Sequence, residues 1–140
     1  LFGLTKILGK HMSYYTSTIL TDTTFEAALE TTTAALAKEG FGIISEIDVS
    51  GTLKKKMDVD LKRYTILGAC NPGYAHHAIQ TEDKIGVFLP CNVVVIEQSP
   101  DTVEVAAVDP VASMISVENS ELTEMSQEVQ KKLKLVIQAL

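Results

Sequence analysis

The sequence predicts a single compact α+β domain in which helices cover a mixed sheet of about five strands. Its 140 residues match the common size of one domain. Runs rich in β-branched and aromatic residues alternate with stretches of helical period. The chain is 46% hydrophobic and 21% charged, which is ordinary for a globular protein and unlike a disordered chain. Interleaved helices and strands pack as a sheet covered by helices, so we expect one core.

The first residues are predicted to be foreign to this domain. They read LFGLTKILGK and precede His11–Met12, a dipeptide that a common cloning junction leaves before a native start codon. We therefore predict that residues 1–11 come from an expression vector and that the domain spans residues 12–140. An amphipathic membrane anchor is the alternative, but it would need a longer apolar face and a more basic side.

The first two elements are a strand and a helix. Tyr14 to Leu20 is rich in β-branched and aromatic residues, which predicts a strand, and the polar cluster Thr21–Thr24 can cap a helix. From Phe25 onward the apolar positions recur on one helical face, and Gly40 follows as a stop signal.

The middle of the chain alternates strands with short helices. Phe41 to Val49 predicts a strand and Gly51 to Met57 a short helix. Tyr64 to Cys70 is a short apolar run that predicts another strand. The next residues, Asn71-Pro72-Gly73, force a turn in which Pro72 begins a helix that runs to about Thr81.

The last part of the chain predicts a hairpin and a long helix. After a turn near Gly86, Cys91–Ile96 and Thr102–Val108 read as strands joined by a five-residue loop, Glu97–Asp101. The segment Val111–Val117 fits neither period clearly. The C-terminal apolar positions form a helical stripe: Leu122, Met125, Val129, Leu133, Val136, Ile137 and Leu140.

Charge and composition exclude several classes of protein. The formal net charge of -6 argues against nucleic-acid binding, and the basic residues Lys54–Lys56 and Lys62–Arg63 are interpreted as solvated surface. No segment approaches the roughly 18 to 20 apolar residues that span a bilayer. Two cysteines are too few for a disulfide scaffold. We therefore expect a cytoplasmic protein without nucleic-acid or membrane partners.

Two segments of similar sequence indicate where a ligand could bind. Gly68–Pro72 reads GACNP and Leu89–Val93 reads LPCNV, so each places a Cys-Asn pair at the end of a predicted strand. Backbone polar groups leave the ladder at strand ends, and ligands often bind there. The sequence therefore predicts a pocket at the two Cys-Asn segments, which contain Cys70, Asn71, Cys91 and Asn92.

Three interpretations of Cys70 and Cys91 remain open. They could be small buried apolar residues. They could join His76 as thiolate and imidazole ligands of zinc, copper or haem iron, although their spacing matches no compact zinc motif. One of them could be a reactive thiol, because a helix starting at Pro72 would place its N-terminus near Cys70.

The histidines and one aspartate are weaker candidates. His76 and His77 are adjacent and point about 100° apart on a helix, so at most one of them belongs to a site. Asp109 precedes Pro110, which indicates an Asx turn or else an acid-base or metal-binding group. The phosphate-binding, nucleophile-elbow and zinc-protease motifs are missing from the sequence, so enzymatic activity stays uncertain.

Six segments together form a recognisable pattern: Gly40–Val49, Thr52–Lys54, Tyr64–Pro72, Ala75–His76, Ile85–Val95 and Asp109–Pro110. By this pattern the chain, from about Tyr14 to Leu140, resembles the bacterial and archaeal family named domain of unknown function 302 (DUF302). The resemblance implies a small α+β protein that forms homodimers and has no established enzymatic activity. It implies a candidate binding site made of the matched polar residues Cys70, Asn71, His76, Cys91, Asn92 and Asp109.

Two functions follow as hypotheses. The first is a dimeric module that binds a small molecule or a metal at the two Cys-Asn segments, with Cys70, His76 and Cys91 as the candidate ligands of a metal or haem. The alternative is a thiol-dependent redox or sulfur-transfer enzyme that uses Cys70 or Cys91. A purely structural interaction module, with inaccessible cysteines, is the third possibility.

Overall fold

The computed structural model describes residues 13–140, and five strands form one sheet within them. The strands are β1 (Tyr15–Thr21), β2 (Gly42–Asp48), β3 (Tyr64–Cys70), β4 (Cys91–Ser99) and β5 (Thr102–Val108). The helices are α1 (Phe25–Lys38), α2 (Val49–Met57), α3 (Pro72–Thr81), α4 (Pro110–Ser113) and α5 (Ser120–Gln138), with a 3₁₀ helix at Asp83–Phe88. The prediction that residues 1–11 derive from a vector lies outside the described residues.

The sheet has the order β1-β5-β4-β3-β2, and every neighbouring pair is antiparallel. The predicted α+β class and five-stranded sheet are confirmed, but the sheet is antiparallel throughout rather than mixed. A connection that contains a helix is long enough to join two strands in either a parallel or an antiparallel arrangement. Here α3 and the 3₁₀ helix return the chain to the end of the sheet that it left, so Cys91 of β4 pairs beside Ala69 of β3.

The β4–β5 hairpin is tighter than the predicted five-residue loop. Strand β4 continues to Ser99, where Ser99 pairs with Thr102 and leaves only Pro100 and Asp101 in the turn. The polar residues that suggested a loop are accommodated because the register shifts between Glu97 and Ser99, as in a β-bulge.

Local signals explain where the helices begin and end. The Thr24 hydroxyl accepts a hydrogen bond from the Ala27 amide at 3.0 Å, which caps α1, and Gly40 has a positive φ of 86° just after that helix. Asp109 caps the short α4, which begins at Pro110 and extends into the segment Val111–Val117 that the sequence left ambiguous. None of the helices described between Ser13 and Leu140 is long and apolar enough to cross a membrane.

Helices α1 and α5 pack on one face of the sheet and form the main core with it. The fully buried side chains of this core include Leu36, Leu67, Val93, Val95, Val103, Val105, Leu133 and Val136. A smaller cluster of Ala78, Ile85, Leu122 and Met125 joins α3, the 3₁₀ helix and the start of α5. Ala78, Leu122 and Met125 of this second cluster also line a pocket against the ends of β3 and β4.

Candidate binding pocket

A pocket of about 300 Å³ lies where the ends of β3 and β4 meet helices α3 and α5. The strand ends contribute Ala69, Cys70, Asn71 and Cys91, helix α3 contributes Tyr74, Ala75, Ala78 and Ile79, and helix α5 contributes Leu122, Met125, Ser126 and Val129. Phe41, Ile44, Leu89, Pro90, Pro110 and Met114 complete its lining. Among residues 13–140 no charged side chain lines it, so the pocket suits an apolar molecule.

The antiparallel register brings the two Cys-Asn segments together. Cys91 at the start of β4 is the cross-strand partner of Ala69, the residue before Cys70 at the end of β3. Both cysteines are free thiols of intermediate exposure. Between them the chain runs outward through α3 and back through the 3₁₀ helix to Leu89 and Pro90, which line the pocket.

Asn71 is the polar group of the pocket that is best placed to meet a ligand. It precedes Pro72 at the start of α3, yet its side chain makes no capping hydrogen bond to that helix. Its amide nitrogen lies near the backbone of Gly40, where an added Cβ would be 3.0 Å from it. By contrast, the Ser126 hydroxyl already donates a hydrogen bond to the Thr123 carbonyl at 2.8 Å.

Asn92, another predicted site residue, lies outside this pocket. It follows Cys91 in β4, and successive strand residues point to opposite faces of a sheet. Its side chain is exposed and lines a shallow groove on the far face.

His76 and Asp109 also have other surroundings. His76 is exposed on α3 and does not contribute to the pocket lining. The Asp109 carboxylate accepts hydrogen bonds from the Val111 and Ala112 amides at 2.9 and 3.3 Å, and from the Gln130 side chain at 2.9 and 3.0 Å. Asp109 therefore ties α4 to α5, as the Asx-turn interpretation suggested, and has little capacity left for a ligand.

The structure does not assemble the candidate metal ligands. Within residues 13–140, no three side chains of His, Cys, Asp or Glu converge as a metal site would require. Cys70 and Cys91 share the pocket, but the imidazole of His76 lies outside its lining. Of the three predicted ligands of a metal or haem iron, the two cysteines therefore lie in one pocket and the histidine lies outside it.

Burial keeps Cys91 protonated. Desolvation by burial and, to a smaller extent, the charge of nearby Cys70 together raise the pKa of the Cys91 thiol to about 11. A thiol with such a pKa is almost entirely neutral at physiological pH, so Cys91 is a poor nucleophile.

Comparison with known proteins identifies the family. The family model described as Domain of unknown function DUF302 matches residues 16–140. The chain belongs to the DUF302 family. The resemblance found in the sequence is therefore confirmed.

The fold of this DUF302 protein is shared by a solved relative. The crystal structure of an uncharacterized conserved DUF302 protein from Bacillus stearothermophilus superposes with a TM-score of 0.82 at 24% sequence identity. The match covers 90% of this chain and 97% of that chain. At this identity the similarity establishes the fold alone. No curated protein sequence matches the chain.

Several lining residues of the DUF302 pocket escaped the sequence analysis. Leu122, Met125 and Val129 belong to the C-terminal helical stripe, and they are buried and line the pocket. Met114 lies in the ambiguous segment after α4. The two methionines in the pocket walls are the sequence feature that could have indicated a binding site, because methionine adapts its shape to varied apolar ligands.

An acidic groove adjoins the pocket and shares Asn71, Tyr74 and Met125 with it. Glu121, Glu124 and Glu128 line this groove from one face of α5. The Tyr74 hydroxyl donates a hydrogen bond to the Glu128 carboxylate at 2.9 Å, and this bond raises the pKa of Tyr74. His77 also lines the groove, with its Nε2 atom 3.9 Å from the Glu121 carboxylate. The surroundings of the pocket are therefore negatively charged.

Proposed function

We propose that this DUF302 protein binds a small, largely apolar organic molecule in the pocket between β3, β4, α3 and α5. One observation carries the proposal: the pocket has a volume of about 300 Å³ and is lined almost wholly by apolar and thiol-bearing side chains. Ligand sites of drug-sized molecules begin near this volume and combine apolar walls with few polar groups. Binding without turnover is the expected activity.

The polar groups of the pocket suggest how the molecule is oriented. Asn71 can offer an amide oxygen and an amide nitrogen, since its side chain is not engaged in capping α3. A ligand with one carbonyl or hydroxyl group would satisfy that amide while its apolar body contacts Met114 and Met125. The ligand class is therefore a compact apolar skeleton that carries a single hydrogen-bonding group.

The acidic groove restricts the charge of the ligand. Glu121, Glu124 and Glu128 lie beside the pocket and would repel a carboxylate or phosphate. A neutral or cationic molecule would avoid this repulsion. Metal binding receives less support than an organic ligand, because His76 lies outside the pocket lining and no three potential ligands converge within residues 13–140.

The proposal can be tested with a neutral fluorescent probe such as 1-aminoanthracene, whose emission increases in apolar sites. The chain has no tryptophan, so its own fluorescence interferes little. Replacing Ala75 by Phe in the pocket wall should fill the cavity and weaken probe binding by at least about tenfold.

The matched control is Ala37→Phe, which makes the same change at an exposed position of α1 outside the pocket. It should bind the probe as the unmodified protein does. If the Ala75→Phe and Ala37→Phe proteins bound the probe equally well, the probe would not bind in this pocket. No binding of the probe, or of any other neutral apolar compound, would count against the function itself.

A thiol-dependent redox or sulfur-transfer enzyme remains the second candidate. The observation in its favour is that Cys70 and Cys91 line the same pocket. The raised pKa of Cys91 leaves Cys70 as the more suitable nucleophile. Alkylation of Cys70 by iodoacetamide at a series of pH values discriminates the two functions: a thiol that titrates below about pH 7 would favour the enzyme.

Two free cysteines also suit a reducing compartment, where disulfides are rare. We therefore assign the protein to the cytoplasm as part of this proposal. Fractionation of cells that express the natural chain would test the assignment.

A further inference from the structure

The apolar pocket and the acidic groove are continuous, so one ligand can occupy both. Asn71, Tyr74 and Met125 line both cavities and are here called the junction. The pocket has a volume of about 300 Å³ and the groove about 660 Å³. Within the described residues, the pocket lining carries no charge, whereas the groove is lined by three carboxylates. A molecule that fills the pocket and reaches past the junction therefore needs an apolar body and a polar end that suits the groove.

The carboxylates of the groove lack a lysine or arginine partner within residues 13–140. Glu121, Glu124 and Glu128 line the groove from α5, and the salt bridges of the described lysines and arginines go to other acids. His77 is the basic side chain nearest to them, with its Nε2 atom 3.9 Å from the Glu121 carboxylate. The groove thus presents uncompensated negative charge to a ligand that extends from the pocket.

The polar atoms at the junction are arranged to accept hydrogen bonds. An added Cβ at Gly40 would be 3.0 Å from the Asn71 amide nitrogen, and one at Gly73 would be 3.8 Å from its amide oxygen. Because Gly73 lines the groove, the amide oxygen lies on the groove side. The Tyr74 hydroxyl donates its one proton to Glu128, so its oxygen is left as an acceptor. These atoms call for a positively charged group with several N–H donors, as in an alkylammonium.

We propose that the ligand of this pocket is an amine with a compact apolar body, whose protonated nitrogen binds at the junction. This inference rests on the proposed function and narrows its ligand class. The apolar body would contact Met114 and Met125, and the ammonium would lie beside Asn71 and Tyr74. The three glutamates of the groove are exposed, so the ammonium keeps part of its hydration there. Exposed ion pairs are individually weak, and three together should favour the amine over a neutral analogue by about tenfold.

Two fluorescent probes of equal size test the inference. The first is 9-(aminomethyl)anthracene, which is an ammonium at neutral pH, and the second is its neutral counterpart 9-anthracenemethanol. At low salt the amine should bind the unmodified chain about tenfold more tightly than the alcohol, and added salt should reduce this ratio. The Ala75→Phe protein should bind both probes more weakly, because both anthracene bodies occupy the pocket.

A triple variant tests the part played by the groove. Gln at all three groove glutamates keeps their hydrogen-bond acceptors and removes their charge, so the ratio of the two affinities should fall to about one. The matched control has Gln at Glu30, Glu39 and Glu46, which lie outside the pocket and the groove. It loses the same charge and should keep a ratio close to that of the unmodified chain.

The outcomes separate this inference from the proposed function. Equal affinities of the unmodified chain for the two probes would overturn the amine and leave pocket binding in place. An equal fall of the ratio in both triple variants would also overturn it, as would amine binding that Ala75→Phe leaves unchanged. A chain that binds neither probe would overturn the proposed function together with this inference.

Discussion

At the scale of single residues, the direction of each side chain decides which candidates share the pocket. Cys91 and Asn92 are neighbours in sequence, but the period of the strand sends one into the pocket and the other to the far face. On α3, Tyr74 and Ala78 line the pocket while His76 is exposed, because residues two apart on a helix do not share a face. Cys70, Asn71 and Cys91 thus remain as the core of the candidate site.

The raised pKa of Cys91 predicts a loss of stability at alkaline pH. Unfolding lets this thiol ionise near its ordinary pKa of 9.0, whereas the folded protein holds its pKa at about 11. The stabilisation that the neutral Cys91 thiol contributes is complete below its pKa in the unfolded state. It is lost as the pH rises toward its pKa in the folded state. Two pKa units correspond to about 3 kcal/mol at most.

Urea unfolding at about pH 8 and about pH 11 would measure this effect. The free energy of unfolding of the Cys91→Val protein should fall less between the two pH values than that of the unmodified protein. This comparison cancels the lysines and tyrosines, which titrate in both proteins. Equal falls would show that Cys91 is not protected by burial.

At the scale of secondary-structure elements, the connections between strands build the site. Helix α3 and the 3₁₀ helix carry the chain from Cys70 back to Cys91, and the short α4 presents Met114 to the pocket. Asp109 fixes α4 by accepting hydrogen bonds from its first amides and from Gln130 of α5. A residue that resembled a catalytic acid in the sequence therefore supports the wall of the pocket.

Asp109→Ala should destabilise the protein by about 2 kcal/mol, because it removes a helix cap and a tertiary hydrogen-bond partner together. The control is Asp60→Ala, whose side chain is 92% exposed and pairs with Lys54 on the surface. The control should cost at most about 0.5 kcal/mol. Urea unfolding measures both values, and similar losses in the two proteins would contradict the structural role of Asp109.

At the scale of the whole molecule, the sheet separates two apolar regions. The pocket lies between the helical layer and one end of the sheet, and the face opposite α1 and α5 lies on the other side of the same sheet. The acidic groove on α5 lies beside the pocket, and its charge would act on any charged molecule that approaches.

The charge of the groove predicts selectivity between probes. The anionic probe 1-anilinonaphthalene-8-sulfonate should bind at least about tenfold more weakly than neutral 1-aminoanthracene at low salt. Replacing Glu121, Glu124 and Glu128 by Gln should strengthen binding of the anion and leave the neutral probe unaffected.

A matched protein with Gln at Glu30, Glu39 and Glu46 carries the same change in net charge at residues outside the pocket and groove. Its affinity for the anionic probe should change much less. If both triple variants gained the same affinity, the effect would come from net charge rather than from the groove.

The sequence by itself determined the local structure and the family. Helix and strand boundaries depend on interactions between near neighbours in the sequence, so they could be predicted within a residue or two. Examples are the Thr24 cap, the helix start at Pro72 and the Asp109–Pro110 turn. The placement of both Cys-Asn segments at strand ends followed from the same local patterns.

Only the tertiary structure decided which of these residues meet. The packing of distant elements determines the direction of each strand. It also excludes His76 and Asn92 from the pocket and brings Met114 and Met125 into its lining. The pKa of Cys91 likewise depends on desolvation by groups far along the chain. Local patterns carry no information on these long-range contacts, because the same strand can pair in either direction until the helices bury one of its faces.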